Sequence, residues 1–331
     1  MAVAYLEPLV EPVFHADSYG FRPGRSPSDA VAVCRQRCWS HAWVIDLDIQ
    51  GFFDNLDHDL ILKAVAHHTD IPWILLYVRR WLAAPQQRAD GSVAARDRGS
   101  AQGASISPLL ANLFMHYAFD VWMAREFPQV PFERFVDDVI VHCVSEQQAR
   151  RVKDAIASRL AECGGLRLHP DKTRIVYCKD SSRHGRYGQV SFDFLGFTFK
   201  PRSAKGKDGS MFTSFSPAIS GKAATAIRRQ IRRMRFHRRS DLSFEEVAAL
   251  INEKAGSWAY YYGRFRPSET VRVLFHIDRY LVRWATRKYK RLRRAPHRAG
   301  QTLAVIKRSQ PGLLAHWRWE MRTRVAAARA G

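Results

Sequence analysis

Few folds accommodate the segment Trp43-Val44-Ile45-Asp46-Leu47-Asp48-Ile49. Val44, Ile45, Leu47 and Ile49 form an almost unbroken apolar run, which predicts a largely buried strand. Asp46 and Asp48 interrupt it. An ionised carboxylate inside a core is costly, while one at a strand terminus is not, so Asp48 is expected where the strand leaves the core. Taken alone, that end is explained as well by a solvated acid as by a site.

A second acidic element narrows the choice. Phe132-Glu133-Arg134-Phe135-Val136-Asp137-Asp138-Val139-Ile140-Val141 sets two adjacent acids between short apolar runs, the pattern of a β-hairpin with Asp137 and Asp138 at its turn. Turn chemistry accounts for one aspartate there, not two. Three carboxylates converging from two strands repel one another unless a divalent cation neutralises them, and hard oxygen donors select Mg2+ over Zn2+. The arrangement expected is a two-metal site for phosphoryl transfer, with Mn2+ a possible substitute.

Charge is distributed unevenly along the chain. The 331 residues carry 53 Lys and Arg against 31 Asp and Glu, a net charge of +22. Residues 215–331 hold 27 basic and 7 acidic side chains, whereas residues 1–214 hold 26 and 24. Such an excess, confined to one region, predicts a polyanionic partner for it. Between Lys222 and Arg239, Ile227, Ile231 and Met234 make a narrow apolar stripe amid Arg228, Arg229, Arg232, Arg233, Arg235, Arg238 and Arg239, too basic for an ordinary solvated face. Arg287, Lys288, Lys290 and Arg291 continue the pattern, while the interleaved Trp258 and Trp284 are expected in the core. Ser243-Phe244-Glu245-Glu246 reads as a capping box. Five cysteines without a Cys-x2-Cys pair predict buried or incidental thiols in a reducing compartment and no zinc module. No apolar run approaches a membrane span and the N-terminus lacks signal-peptide order, so a cytoplasmic location is expected.

Several loops stand out between these landmarks. Ser18-Tyr19-Gly20-Phe21-Arg22-Pro23-Gly24-Arg25-Ser26 uses glycines and a proline to hold Arg22 and Arg25 beside aromatic rings. Gly99-Ser100-Ala101-Gln102-Gly103 leads to Ser107-Pro108, expected as the N-cap and first position of a helix running to about Arg125. A helix from Glu146 to Cys163 should end at Gly164-Gly165, ahead of Leu166-Arg167-Leu168-His169-Pro170-Asp171-Lys172-Thr173. His67 and His68 lack ligand spacing and are expected on the surface. The Lys, Ser, Gly and Pro of residues 200–208 mark a loop at a domain boundary, giving domains 1–214 and 215–331.

In this order the motifs resemble a known family. Asp48 with Gly51-Phe52-Phe53-Asp54, the Gln102 loop with Ser107-Pro108-Leu109, Phe135-Val136-Asp137-Asp138, and the Lys172 loop are similar to reverse transcriptases of the group II intron type. The helical region resembles their thumb and maturase domain. The resemblance runs from about Leu6 to Trp319 and implies an α/β (α+β) right-hand polymerase palm with partial fingers, then an all-helical thumb/maturase domain. It implies Asp48, Asp137 and Asp138 as ligands of two Mg2+ ions and Lys172 as the acid that protonates the leaving pyrophosphate. It implies Arg22, ahead of Arg25, and Gln102 as contacts to the incoming dNTP, and Phe53 as the gate against a 2′ hydroxyl. Phe192–Phe199 would close the palm sheet, and the arginine-rich helices would grip intron RNA beside the primer-template. The activity implied is RNA-directed DNA polymerisation; the alternative is a polymerase-inactive splicing cofactor that only binds RNA.

Four residues depart from the family pattern. Ala101 replaces a proline, Phe135-Val136 replaces Tyr-Ala, and Gln50 stands where a basic residue is common. The chain also opens just ahead of the Arg22 loop, so the first two fingers motifs are expected to be missing, and no endonuclease module is expected after the helices.

Overall fold

The computed structural model describes every residue except Met1, Arg88, Ala89, Gln102, Lys207, Ala330 and Gly331, with side chains described through Thr323. The chain divides into two units, Met1–Phe192 and Asp193–Gly331.

In the first unit α1 (Ala2–Val10) and α2 (Pro27–Ser40) lead into β1 (Trp43–Leu47). Ser26 caps α2 by accepting from the Asp29 amide, and Pro27 opens the helix, where its missing N–H costs nothing. Next come α3 (Phe52–Asn55), α4 (His58–Ala66), α5 (Pro72–Ala83) and the two-residue strands β2 (Gln86–Gln87) and β3 (Val93–Ala94). The helix expected over residues 109–125 is interrupted: α6 (Ser107–Met115) and α7 (Val121–Glu126) flank a π-helical turn at His116–Asp120. Ser107 is not the cap. It is the first helical residue, and its hydroxyl donates to the Ala101 carbonyl while accepting from Ser100.

Strands β4 (Phe132–Phe135), β5 (Asp138–Cys143) and β6 (Arg174–Tyr177), with α8 (Glu146–Glu162) between the last two, complete an antiparallel sheet of order β4-β5-β1-β6. β1 therefore lies inside the sheet, which is why all but Asp46 of its residues are apolar and buried: Val44, Ile45 and Leu47 are at most 3% exposed. Its register against β5 runs from Trp43↔Cys143 to Leu47↔Val139. α8 ends as expected, with Gly164 and Gly165 both at positive φ.

The stretch after Phe192 departs from expectation. β7 (Phe192–Phe194), β8 (Phe197–Lys205) and β9 (Met211–Ile219) form their own three-stranded sheet, so residues 192–199 do not close the four-stranded one. Residues 200–205 are strand rather than boundary loop, paired along a ladder from Phe197↔Ile219 to Lys205↔Met211. The division accordingly falls after Phe192 and not at 214/215. The Lys, Ser and Pro that looked like a linker occupy the largely solvated outer part of this ribbon, where a backbone ladder needs no apolar side chains; Phe197, Phe199 and Phe215 anchor its inner end.

The rest of the second unit is helical: α9 (Gly221–Met234), α10 (Phe244–Gly263), α11 (Pro267–Lys288), α12 (Pro296–Ser309) and α13 (Ala315–Arg329). The Ser243–Glu246 capping box has both of its hydrogen bonds. Ile227, Ile231, Leu281, Trp284 and Trp317 are buried, and Trp258 packs on the same core from its edge. At Gly263 a Cβ would lie 1.8 Å from the Trp319 ring, so only glycine lets α10 approach α13 so closely. Among the described residues no helix is long and apolar enough to cross a membrane.

Candidate active site

β1 delivers Asp48 one residue beyond its last sheet position, and the loop at residues 166–173 fixes it there. The Asp48 carbonyl accepts from the His169 amide at 2.7 Å and from Thr173 Oγ1 at 3.3 Å. Ile49 bridges Leu168, and the Gln50 amide donates to the Arg167 carbonyl at 2.9 Å. Lys172 Nζ lies 3.3 Å from Asp48 Oδ2. Both side chains keep solvent access, 60% and 33%, so this ion pair is weak and free to open.

The acidic hairpin is tighter than the sequence suggested. Phe135 pairs with Asp138, so the two-residue turn is Val136-Asp137 and Asp138 already belongs to β5. Continuing the β1–β5 register one step past Leu47↔Val139 sets Asp48 opposite Asp138. Burial raises the Asp137 carboxyl above its ordinary range, and the charge of Asp48 adds to the effect. Asp138 is pushed up to about 6 by burial first, then by Asp137 and Asp48, while one edge stays open to solvent. Asp137 and Asp138, both held above the ordinary carboxylate range beside Asp48, with no sulfur or imidazole among the three, suit a hard divalent cation that replaces the proton. Reverse transcriptases generally use divalent metal ions, and this donor set fits one.

Val136 occupies the left-handed region at φ 63°, unfavourable for a β-branched residue, and a network of buried groups holds it there. Arg134, 0% exposed, grips Asp120 with two bonds of 2.7 and 2.6 Å and donates to Asn112 Oδ1 and to the Val136 carbonyl at 3.0 Å each. Asn112 in turn donates to the Gly20 carbonyl at 2.6 Å. A Cβ at Gly20 would lie 2.7 Å from Val136 Cγ2 and 2.8 Å from its backbone N, so glycine alone lets this loop underlie the turn. The sequence singles out none of Arg134, Asp120 and Asn112, and marks Gly20 only as a loop glycine. The available signal was Glu133-Arg134, two opposite charges in a strand next to the acidic turn.

The same loop corrects the reading of Arg22. Its Nε and Nη2 bind Glu11 at 2.7–3.1 Å, and its Nη1 donates to the carbonyls of His15 and Ser18 at 2.7 Å. With a side chain 5% exposed and its donors engaged, Arg22 has nothing left for a triphosphate. Arg25 is the exposed guanidinium of the loop, 5.7 Å over the Tyr19 ring. Phe53 is half-buried beside Phe52, and its carbonyl accepts from the Ser100 amide at 2.7 Å, which ties the 99–103 loop to α3 and so to Asp48. Gln102 lies outside the described residues. His67 is exposed as expected, but His68 is half-buried, with Nε2 2.7 Å from the Tyr117 hydroxyl.

The second unit carries a basic surface. Arg228, Arg229, Arg232, Arg233, Arg235 and Arg238 are all exposed. Arg239 is exposed as well and pairs with the exposed Asp241 at 2.8 Å, a weak surface pair, whereas Lys288 Nζ donates to the carbonyls of Ser240 and Leu242 at 3.0 and 2.7 Å and so serves the fold. Arg287 bonds the His237 carbonyl at 3.3 Å yet stays exposed, as do Lys290 and Arg291. The imidazoles report the field these cations make. Burial first, then Arg279, Arg228, Arg283 and Arg232, lower the pKa of His276; burial, Arg287, Arg238, Arg283 and Arg235 lower that of His237. Arg279 and Arg283 on α11 therefore belong to this surface, although the sequence did not single them out.

Residues 1–199 match the reverse transcriptase (RNA-dependent DNA polymerase) family, and residues 224–300 match the group II intron, maturase-specific domain. Protein YkfC of Escherichia coli (strain K12) is 26% identical over 233 residues, 56% of this chain and 60% of that protein. The group II intron-encoded protein LtrA of Lactococcus lactis subsp. cremoris is 32% identical over 111 residues, 34% of this chain and 18% of that protein. The apo telomerase from Candida tropicalis aligns with a TM-score of 0.49 and 12% identity, over 92% of this chain and 50% of that one. The chain thus spans less than two thirds of the length of each of these proteins. The first match contains the three aspartates and the second contains the basic helices: the chain belongs to the reverse transcriptase family and carries the maturase-specific domain of group II introns.

Proposed function

We propose that this chain is an RNA-directed DNA polymerase that extends a primer paired to group II intron RNA, and that it holds the RNA through α9 and α11. The observation that carries this reading is the convergence of Asp48 with the Val136-Asp137 turn and Asp138 in a region that matches reverse transcriptases. Asp48, Asp137 and Asp138 would hold two Mg2+ ions, for which Mn2+ could substitute; bound there, they would supply Lewis acidity to the primer 3′ hydroxyl and charge neutralisation to the leaving pyrophosphate.

The chain's own groups do the rest. Lys172, poised against Asp48, gives its proton to the departing pyrophosphate as the weak ion pair opens. Phe53 sits under the sugar and selects dNTPs by excluding a 2′ hydroxyl. Gln102 contacts the nucleotide, and Arg25, not Arg22, offers a free guanidinium to the triphosphate. Primer extension on an RNA template tests the proposal: wild type extends with Mg2+, and Asp137→Ala lowers the rate on the order of 10^3-fold or more. A folded wild-type chain inert with both Mg2+ and Mn2+, or an Asp137→Ala variant as fast as wild type, overturns it.

A further inference from the structure

Three helices of the first unit surround a space that none of them fills. Leu60 and Ala64 on α4, Phe114 and Ala118 on α6 and the π-helical turn after it, and Arg159 and Cys163 at the end of α8 each stand four positions apart, close to one helical turn. Together they line a cavity of about 280 Å3 that opens to solvent. Protein interiors seldom leave a gap larger than one water, and this one has room for roughly nine. The cause is local: Ala64 and Ala118 put methyl groups where longer side chains would close the space. None of Asp48, Asp137 and Asp138 lines it.

Two further features mark the cavity as built. One wall is the π-helical turn, in which the Val121 amide reaches back five residues to the His116 carbonyl; such turns are rare and recur at functional sites. Arg159 is fastened to that wall from α8, donating from Nε to the Ala118 carbonyl at 3.2 Å and from Nη2 to the Tyr117 carbonyl at 3.3 Å, which leaves Nη1 for a ligand. Lys63 adds a second cation from α4; it is exposed and, among the described residues, forms no ion pair. No carboxylate lines the cavity. An apolar floor under two unneutralised cations complements a molecule with an apolar body and one anionic group.

We propose that this cavity binds a small aromatic acid, with its ring system against Phe114, Ala64 and Ala118 and its carboxylate at Arg159 and Lys63. Burial of the ring supplies affinity, edge contact with Phe114 fixes its plane, and the two cations select the charge. A bound acid also fills the space beside the turn whose last residue, Asp120, grips Arg134 beneath the Asp137 hairpin, so occupancy should stabilise the folded chain. The sequence hid the site because its walls come from three helices, and alanines spaced along a helix read as ordinary packing.

The test titrates the whole 331-residue chain with naphthoate, a fused ring pair carrying one carboxylate, beside the neutral naphthylmethanol. Naphthoate should bind at one equivalent and raise the unfolding temperature, and Ala64→Leu, which fills the cavity, should weaken it by about tenfold or more. Replacing Lys63 and Arg159 together with Met should cost naphthoate about tenfold and leave naphthylmethanol unchanged. Cys163 gives a second readout, since it is 9% exposed while Cys34, Cys38, Cys143 and Cys178 are all 0% exposed: saturating naphthoate should slow its alkylation by N-ethylmaleimide about fivefold or more. This readout decides if Ala64→Leu does not fold. A folded wild-type chain that binds no naphthoate at about 1 mM overturns the site, as do undiminished binding by Ala64→Leu and an unprotected Cys163. Equal affinity for naphthylmethanol overturns the assignment of an acid. No aspartate takes part, so the outcome does not depend on the polymerase proposal.

Discussion

The aspartate site and the arginine-rich surface carry opposite charge and are built in opposite ways. Asp137 and Asp138 rest on a strained turn that Arg134, Asp120, Asn112 and Gly20 hold from beneath with buried, directed hydrogen bonds. Arg228, Arg229, Arg232 and Arg233 project into solvent from one side of α9 and need only the helix to space them. The difference follows from what each must do. Positioning reacting atoms demands fractions of an ångström, so side chains must be locked. Attracting a polyanion demands only charge density, since phosphate binding is largely release of counterions.

That contrast can be broken most directly at the two kinds of arginine. Arg134→Met leaves Asp120 charged, buried and without its guanidinium, which should cost about 3–5 kcal/mol in urea unfolding. Arg229→Met should change stability by less than about 0.5 kcal/mol. Equal losses would mean the two regions are not built differently. The converse holds for RNA. Replacing Arg228, Arg229, Arg232, Arg233, Arg235 and Arg238 together with Gln should weaken RNA binding by about 10^2-fold or more near 0.1 M salt and make the log-log salt slope shallower by up to about 4, as filter binding would report. An unchanged slope would move the RNA grip elsewhere.

Smaller effects sharpen the comparison through protons. Asp138 titrates near 6, above its unfolded value, so in metal-free buffer the folded chain loses stability as pH rises through about 6 and regains it on acidification. Asp138→Asn should therefore raise metal-free stability at pH 8. The full shift corresponds to about 3 kcal/mol, which screening of the exposed carboxylate reduces to about 1. A variant less stable than wild type under those conditions would show that mutual repulsion does not dominate this site. On the basic surface the sign reverses. The lowered pKa of His276 should rise when phosphates approach, so RNA affinity should tighten less than tenfold between pH 7 and pH 5. His276→Asn should flatten that dependence.

Much of the fold was legible locally. The apolar run around Asp46 and Asp48 predicts an interior strand, Ser243 and Glu246 predict their cap, and Gly164-Gly165 predicts the end of α8, because each feature is decided by residues within a few positions of one another. The basic stripe on α9 is legible for the same reason. Where partners are remote, the same residue types deceive. Arg22 in a glycine loop reads like a phosphate ligand until Glu11 and two carbonyls take its donors, and Lys288 in a basic run reads like an RNA contact until it caps the carbonyls of Ser240 and Leu242.

By itself, then, the amino-acid sequence determined the secondary elements that set the aspartates and the arginines in place, since periodicity and turn chemistry act over a few residues. Only the tertiary structure decided which charges are free. It gave Arg134 to Asp120 and carried β8 and β9 away from the four-stranded sheet. The physical reason is that a polar side chain's role is settled by the group it meets at its tip, and in a buried site that group is brought there by the packing of other elements.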